Sequence, residues 1–305
     1  MSSITLQTCL TGAPLNLNYV RDALKLRLRA WRNRQPTAEW LAMLNSHPAL
    51  RELALAHPRL ILKIYRPYLS HHLDCAQRAS LLAGHYRFML EQGWGSLALQ
   101  ASRGAVPLVP FAGKSGAPYA IELQTVWPME REGELVLQLR AGQDLVYSVA
   151  FSFFASQGKM AVGIGCIQGP QSERGLELNR EATRELHGLR PKSLMVRLVR
   201  QLGYLYGCQE MVLVSNANRA VRHSMNKGLV LADYDGLWQE MEARPRTDGN
   251  FALDCIALPA PNMEEIPSKK RSEARKRHEL QEEMFAALGA ALQAASNAPK
   301  PARAE

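Results

Sequence analysis

Near Gly93 the hydrophobic period of this chain changes, and that change limits what it can fold into. On the N-terminal side, "NYVRDALKLRLRAWRN" places Val20, Leu24, Leu28 and Trp31 at i, i+4, i+8 and i+11, with Arg21, Lys25, Arg29 and Arg32 on a neighbouring stripe. That is a basic amphipathic helix. His-Pro and Arg-Pro steps then cut the stretch up to Gly93 into short helices, because the residue before a proline is pushed out of the helical region. Four or five helices are expected there.

Beyond Gly93, "SLALQAS", "YAIELQTV", "GELVLQLRAG", "DLVYSVAFSFFA" and "KMAVGIGCI" read as strands, and Ala141-Gly142-Gln143-Asp144 reads as a hairpin turn. "LELNREATRELHG" and "RPKSLMVRLVRQLGYLYG" return to helical spacing, the second with Pro191 at its start and Gly207 at its stop. A buried strand "EMVLVS", a short helix "ANRAVRHSMNKG" and a strand "NFALDCIAL" follow. The chain then runs through a basic stretch and an alanine-rich helix, "EEMFAALGAALQAAS", into a polar tail expected to be disordered. This order predicts an α+β fold, with a helical N-terminal part packed on a mostly antiparallel mixed sheet with flanking helices. The expected regions are 1–93, 94–285 and 286–305.

At 305 residues and 47% hydrophobic content the chain can fill a sizeable core. No apolar run approaches the roughly 20 residues that a membrane span requires. The first twenty residues lack a basic stretch followed by an apolar one, so no signal peptide is expected and the chain reads as cytoplasmic. Five scattered cysteines without a C-x-x-C pair read as reduced thiols. A net charge of +9 attracts anions: nucleic acid, anionic lipid and a phosphorylated cofactor all fit. Nucleic acid ranks last, because the basic residues lack interleaved aromatics and no reading motif is present.

Several short stretches carry candidate chemistry. Gly163 and Gly165 lie inside a strand pattern and do not match a phosphate loop, so Gln168-Gly169-Pro170 reads as a turn that is architectural or lines a cleft at the strand end. "HGLRPK" sets His187, Arg190 and Lys192 about a helix N-terminus, which favours an anion; the plainer reading is a turn with solvated cations. His187 sits in a polar loop and is the candidate proton-transfer group, histidine being the side chain best suited to proton transfer in the physiological range. Asn216 and Asn218 stand at a strand-to-helix corner, as site residues or as a helix cap. Asp233 and Asp235 are paired carboxylates or turn formers. "EIPSKKRSEARKRHEL" gathers Lys269, Lys270, Arg271, Arg275, Lys276 and Arg277; a nucleic-acid arm, a membrane-surface segment, a lid over an anion and a solvated helix all fit it. No metal-ligand spacing and no nucleophile motif occurs.

"VLVSNANRAVRHSMNKGLVL" resembles the late strand–helix motif of the GNAT acyltransferases, with Ser224 at the usual tyrosine position, Leu229 for phenylalanine and no pyrophosphate loop after the preceding strand. Taken in order, "IGCIQGP", "LHGLRPK", "VSNANR", "ADYDGLWQE" and "EIPSKKRSEARKRHEL" resemble the VirK/YbjX family of bacterial proteins, from about residue 40 to about residue 285. That resemblance implies a link to virulence, to resistance to cationic antimicrobial peptides and to the bacterial envelope. It also makes the basic stretch a helix folded back on the body. The reading that follows is a GNAT-like acyl- or aminoacyl-transferase acting on an anionic small molecule or envelope lipid precursor, with acyl-CoA as donor. Its catalytic residues are expected to be His187, Asn216 and Asp235; its anion-binding residues Gln168, Arg190, Lys192, Asn218, Lys269, Lys270 and Arg271. The competing reading is a non-enzymatic adaptor, peripheral at the inner membrane, that binds anionic lipid through its basic helices.

Overall fold

The computed structural model describes residues 3–10, 17–170, 172–221 and 232–296. Among the described residues, the α-helices before Gly93 are α1 (Leu17–Arg32), α2 (Arg34–Asn45), α3 (Pro48–Ala56) and α4 (Cys75–Glu91), with 3-10 turns at Leu6–Leu10 and Pro58–Tyr65. The prolines account for the breaks: Pro48 opens α3 and Pro58 opens the second 3-10 turn, each behind a histidine in non-helical backbone. α4 begins with a reciprocal cap, Asp74 accepting from the Gln77 N–H while Gln77 accepts from that of Asp74.

One expectation fails at the next junction. "SLALQAS" forms a helix, α5 (Gly95–Arg103), instead of a strand. Leu97, Ala98 and Ala101 are buried at helical spacing, and the stretch is rich in strong helix formers with none of the β-branched residues that suit a pleated surface.

The sheet contains β1 (Val106–Ala112), β2 (Pro118–Thr125), β3 (Leu135–Ala141), β4 (Asp144–Ser156), β5 (Lys159–Gln168), β6 (Glu210–Leu213), β7 (Arg244–Pro245) and β8 (Phe251–Asp254), in the order β1-β2-β3-β4-β5-β6-β8-β7. All neighbours are antiparallel except β5 and β6, so the fold is α+β with a mixed sheet. The parallel pair is joined by a crossover through α6 (Glu173–Glu185) and α7 (Pro191–Leu205). Sequence reading passed over β1 and β7. β1 contains Pro107 and Pro110, which a strand tolerates at a sheet edge, where this one lies. After β6 come a 3-10 turn (Asn216–Asn218), α8 (Tyr234–Glu240) and α9 (Ser268–Ser296). The basic run and the alanine-rich run are one helix of 29 residues. The short helix expected to end at Gly228 falls largely on 222–231, and the tail on 297–305; both stretches lie outside the described residues.

α4, α5, α7 and α9 pack on one face of the sheet, where Met89, Trp94, Leu97, Leu202 and Leu292 surround Leu135, Leu137 and Phe151. β4 outruns β3: Leu135, the first residue of β3, pairs with Phe151, so Ser152–Ser156 have no strand on that side. α4 covers the uncovered edge, with His85 Nδ1 accepting the Phe153 N–H at 3.2 Å.

Candidate functional site

The first cluster of polar residues is sealed at that edge. Lys63 Nζ lies 2.6 Å from Glu134 Oε1, with side chains 3% and 1% exposed. The Tyr86 hydroxyl donates to the other carboxylate oxygen. Ser152 Oγ accepts the Glu134 N–H at 3.0 Å and sits 2.8 Å from the Tyr68 hydroxyl. Burial pushes the Glu134 carboxyl up, but the Lys63 charge and the hydrogen bonds from Lys63 and Tyr86 outweigh it and hold the group below its ordinary range. Burial depresses His85 to about 4, so its ring is neutral and its Nδ1 is free to accept. These residues pin the second 3-10 turn and α4 to β4. None of Lys63, His85, Tyr86 and Glu134 lines the cleft described below.

A second cluster lies where the parallel pair opens. β6 stops at Leu213 while β5 continues to Gln168. Tyr234 fills the opening: its hydroxyl accepts the Ile167 N–H at 2.7 Å, donates to the Ile167 carbonyl at 2.9 Å and lies 3.3 Å from Cys166 Sγ. Arg219 stacks on the Tyr234 ring at 3.9 Å. Burial raises Glu132 and the Cys166 thiol above their ordinary values, so the thiol is no nucleophile at neutral pH. Asn216 fastens this corner to α8: its N–H donates to Asp235 Oδ1 (2.8 Å), its Nδ2 to Asp233 Oδ1 (2.7 Å), and its Oδ1 accepts the Tyr234 N–H (2.9 Å). Asp233 caps α8, and the hydrogen bonds from Asn216 and Gly236 hold its carboxyl below the usual range. Arg190 and Lys192 share Glu240 Oε2 at 3.1 and 3.3 Å.

Arg190, Lys192, Asn216 and Asp235 are therefore brought together around α8, where Arg190 and Lys192 hold Glu240 and Asn216 holds Asp233 and Asp235, all carboxylates of their own chain. His187 sits in the α6–α7 loop at φ 52°, next to Gly188, where a Cβ would meet Arg277 and Glu273 of α9. Gln168 is exposed at the end of β5. Lys269, Lys270 and Arg271 are exposed in the first turn of α9, where Arg271 Nε donates to the Ile266 carbonyl at 2.9 Å.

The third cluster opens to solvent. A cleft of about 470 Å³ runs between α4, β4, β6 and the β7–β8 turn. Leu69, Leu73, Leu81, Phe154, Val212 and Val214 make it apolar; Ser80 and Gln77 line it from α4; Arg246, Asp248 and Asn250 close one end. Arg246 is anchored by Glu210, by Asp248 at 3.2 Å and by Ser156 Oγ at 3.2 Å. Asn218 braces both walls: its Nδ2 donates to the Asp248 carbonyl and to Asn250 Oδ1, both at 2.9 Å, and its carbonyl accepts the His71 N–H at 2.8 Å. None of the ten residues singled out from the sequence lines this cleft. The signal for its polar end was the turn "RPRTDGN", whose Asp-Gly step marks a tight reversal.

Over residues 16–290 the chain matches the family described as protein of unknown function (DUF535). The chain belongs to that family. This DUF535 chain is 27% identical over 249 residues to the uncharacterized protein YbjX of Escherichia coli (strain K12), covering 80% of this chain and 75% of that one, as the VirK/YbjX resemblance implied. It is also 27% identical over 202 residues to the protein named "Membrane protein LapB" of Mannheimia haemolytica, covering 64% of this chain and 83% of the relative. Among solved structures it is similar to a cAMP-binding acyltransferase from Mycobacterium smegmatis, at 10% identity and a TM-score of 0.27; the match covers 71% of this chain and 62% of that one, under two thirds of its length. Among the described residues, no helix is long and apolar enough to cross a membrane.

Proposed function

We propose that this DUF535 protein acts at the bacterial envelope as a GNAT-like acyl- or aminoacyl-transferase, with an amphipathic envelope lipid precursor seated in the cleft and acyl-CoA as the donor. The observation that carries the reading is the cleft itself, which combines Leu69, Leu73, Leu81, Phe154, Val212 and Val214 with the polar Arg246, Asp248 and Asn250 of the β7–β8 turn. An acyl-bearing molecule matches it: the chain covers Leu69, Phe154 and Val214, and the head group meets the polar end. The name of the Mannheimia relative supports a place at a membrane. Arg190 and Lys192, with His187 beside them in the loop, are the proposed donor site, where the donor's phosphates replace the Glu240 carboxylate. An aminoacyl group, delivered by an activated aminoacyl donor in place of acyl-CoA, adds a cation to an envelope molecule, which weakens its attraction for cationic antimicrobial peptides.

Thermal unfolding in the presence of acyl-CoAs and of anionic phospholipids tests this. The expected result is a rise in unfolding temperature with one ligand class that Ser80→Trp, which fills the cleft from the exposed side of α4, abolishes. No rise with any of these ligands, or a rise with anionic phospholipid that Ser80→Trp leaves intact, removes the cleft from the reading.

A further inference from the structure

We infer that α1 is a docking surface for anionic lipid, whatever molecule occupies the cleft. An amphipathic helix normally turns its apolar stripe toward the core. This one turns it to water: Val20, Leu24, Leu28 and Trp31 are 53%, 60%, 47% and 61% exposed. Among the described residues, these are four of the ten large apolar side chains that stand exposed, and all four share one helix.

The geometry of α1 explains how. At about 100° per residue, Val20, Leu24, Leu28 and Trp31 fill an arc of about 80°. Arg21, Lys25, Arg29 and Arg32 fill the adjoining arc of about 80°, and Tyr19, Ala23, Leu26 and Ala30 a third of about 60°. Only the third faces the body, with Leu26 buried and Tyr19, Ala23 and Ala30 half-buried. The helix is held by a narrow stripe of four residues, two of them alanines, and Val20, Leu24, Leu28 and Trp31 are left over. Arg34, with its guanidinium 5.7 Å from the Trp31 ring, adds a cation at the end of the apolar arc.

An apolar arc bordered by cations matches the boundary between acyl chains and anionic head groups: the first buries in hydrocarbon while the second stays at the phosphates. A second copy of the chain fits poorly. A two-fold contact through the apolar arc would bring two basic arcs together with only Asp22 as counter-charge in each helix. The start of α9 exposes Lys269, Lys270, Arg271, Arg275 and Lys276 without any large exposed apolar side chain in that helix, so it attracts anions but has nothing to insert.

Flotation of the full chain with phosphatidylcholine vesicles, and with vesicles containing phosphatidylglycerol, provides the test. We expect binding to the anionic vesicles to be at least about tenfold stronger and to weaken with salt. Leu24→Ser with Leu28→Ser should lower it about tenfold with circular dichroism and melting unchanged, since both side chains are already in water. Replacing Arg21, Lys25, Arg29 and Arg32 by Gln should remove the preference for anionic lipid. The inference is overturned by absent binding, by equal binding to both vesicle types, or by binding that survives the serine pair. It is also overturned if binding is lost only on neutralising the start of α9, or if light scattering shows self-association that the serine pair abolishes.

Discussion

Lys63→Met tests the account of the buried edge of β4 most directly. Lys63 and Glu134 are 3% and 1% exposed, and the charge of each is answered chiefly by the other. Removing the ammonium leaves a carboxylate with the Tyr86 hydrogen bond but no counter-charge, in a place where burial alone pushes its pKa up. Breaking one side of such a pair costs about 3–5 kcal/mol. Lys63→Met with Glu134→Leu removes both charges and leaves mainly the Tyr86 hydroxyl without its acceptor, which costs about 1–3 kcal/mol. The double variant should therefore be more stable than Lys63→Met alone, although it carries one more substitution. Urea unfolding at pH 7, followed by far-ultraviolet circular dichroism on the wild type, both single variants and the double, measures this coupling. A loss under about 1 kcal/mol for Lys63→Met, the range of a surface pair, would refute the reasoning. So would a double variant whose loss equals the sum of the singles.

His85 gives a pH signature: with a folded-state pKa of about 4 against an ordinary 6.5, the unfolded chain takes up the proton first, so stability is present above about pH 6.5 and falls as pH drops toward 4. Glu134, held below its ordinary value, adds a loss at still lower pH, as the solution passes through its depressed folded-state pKa. Stability measured from pH 7 to 4.5 should fall less steeply in His85→Gln than in the wild type; identical slopes would show that the ring is not the group being protonated. Tyr234→Phe removes the hydroxyl that satisfies the Ile167 N–H and carbonyl, and should cost about 1–3 kcal/mol in urea unfolding, with no effect if water takes its place. Glu240→Gln should barely move the unfolding midpoint, because exposed pairs contribute little, while raising affinity for acyl-CoA in a calorimetric titration. Unchanged or weaker binding would show that Arg190 and Lys192 do not receive the donor.

Local patterns carried far in this chain. The β2, β3, β4 and β5 segments, the hairpin that pairs Ala141 with Asp144, and the Pro191 start and Gly207 stop of α7 all follow from spacing and from residues with narrow backbone preferences. The failure at "SLALQAS" has the same origin: a seven-residue run is too short for either period to declare itself, and packing against β2 and β3 decided. The cleft was not legible, because its walls come from residues near 70, 80, 155, 213 and 248, which no linear spacing relates. Nor was the fate of Arg190 and Lys192: the sequence shows two cations at a helix start, and only the fold shows Glu240 lying against them.

Composition, period and turn residues by themselves determined an α+β chain with helices first, a largely antiparallel sheet after them and a surplus of positive charge, since those properties act over a few residues at a time. Which way α1 turns its leucines, which carboxylate each cation meets, and where the surface opens were decided by the tertiary structure alone. Each of these is a contact between segments far apart in the chain, fixed only when one packing arrangement satisfies all of them together.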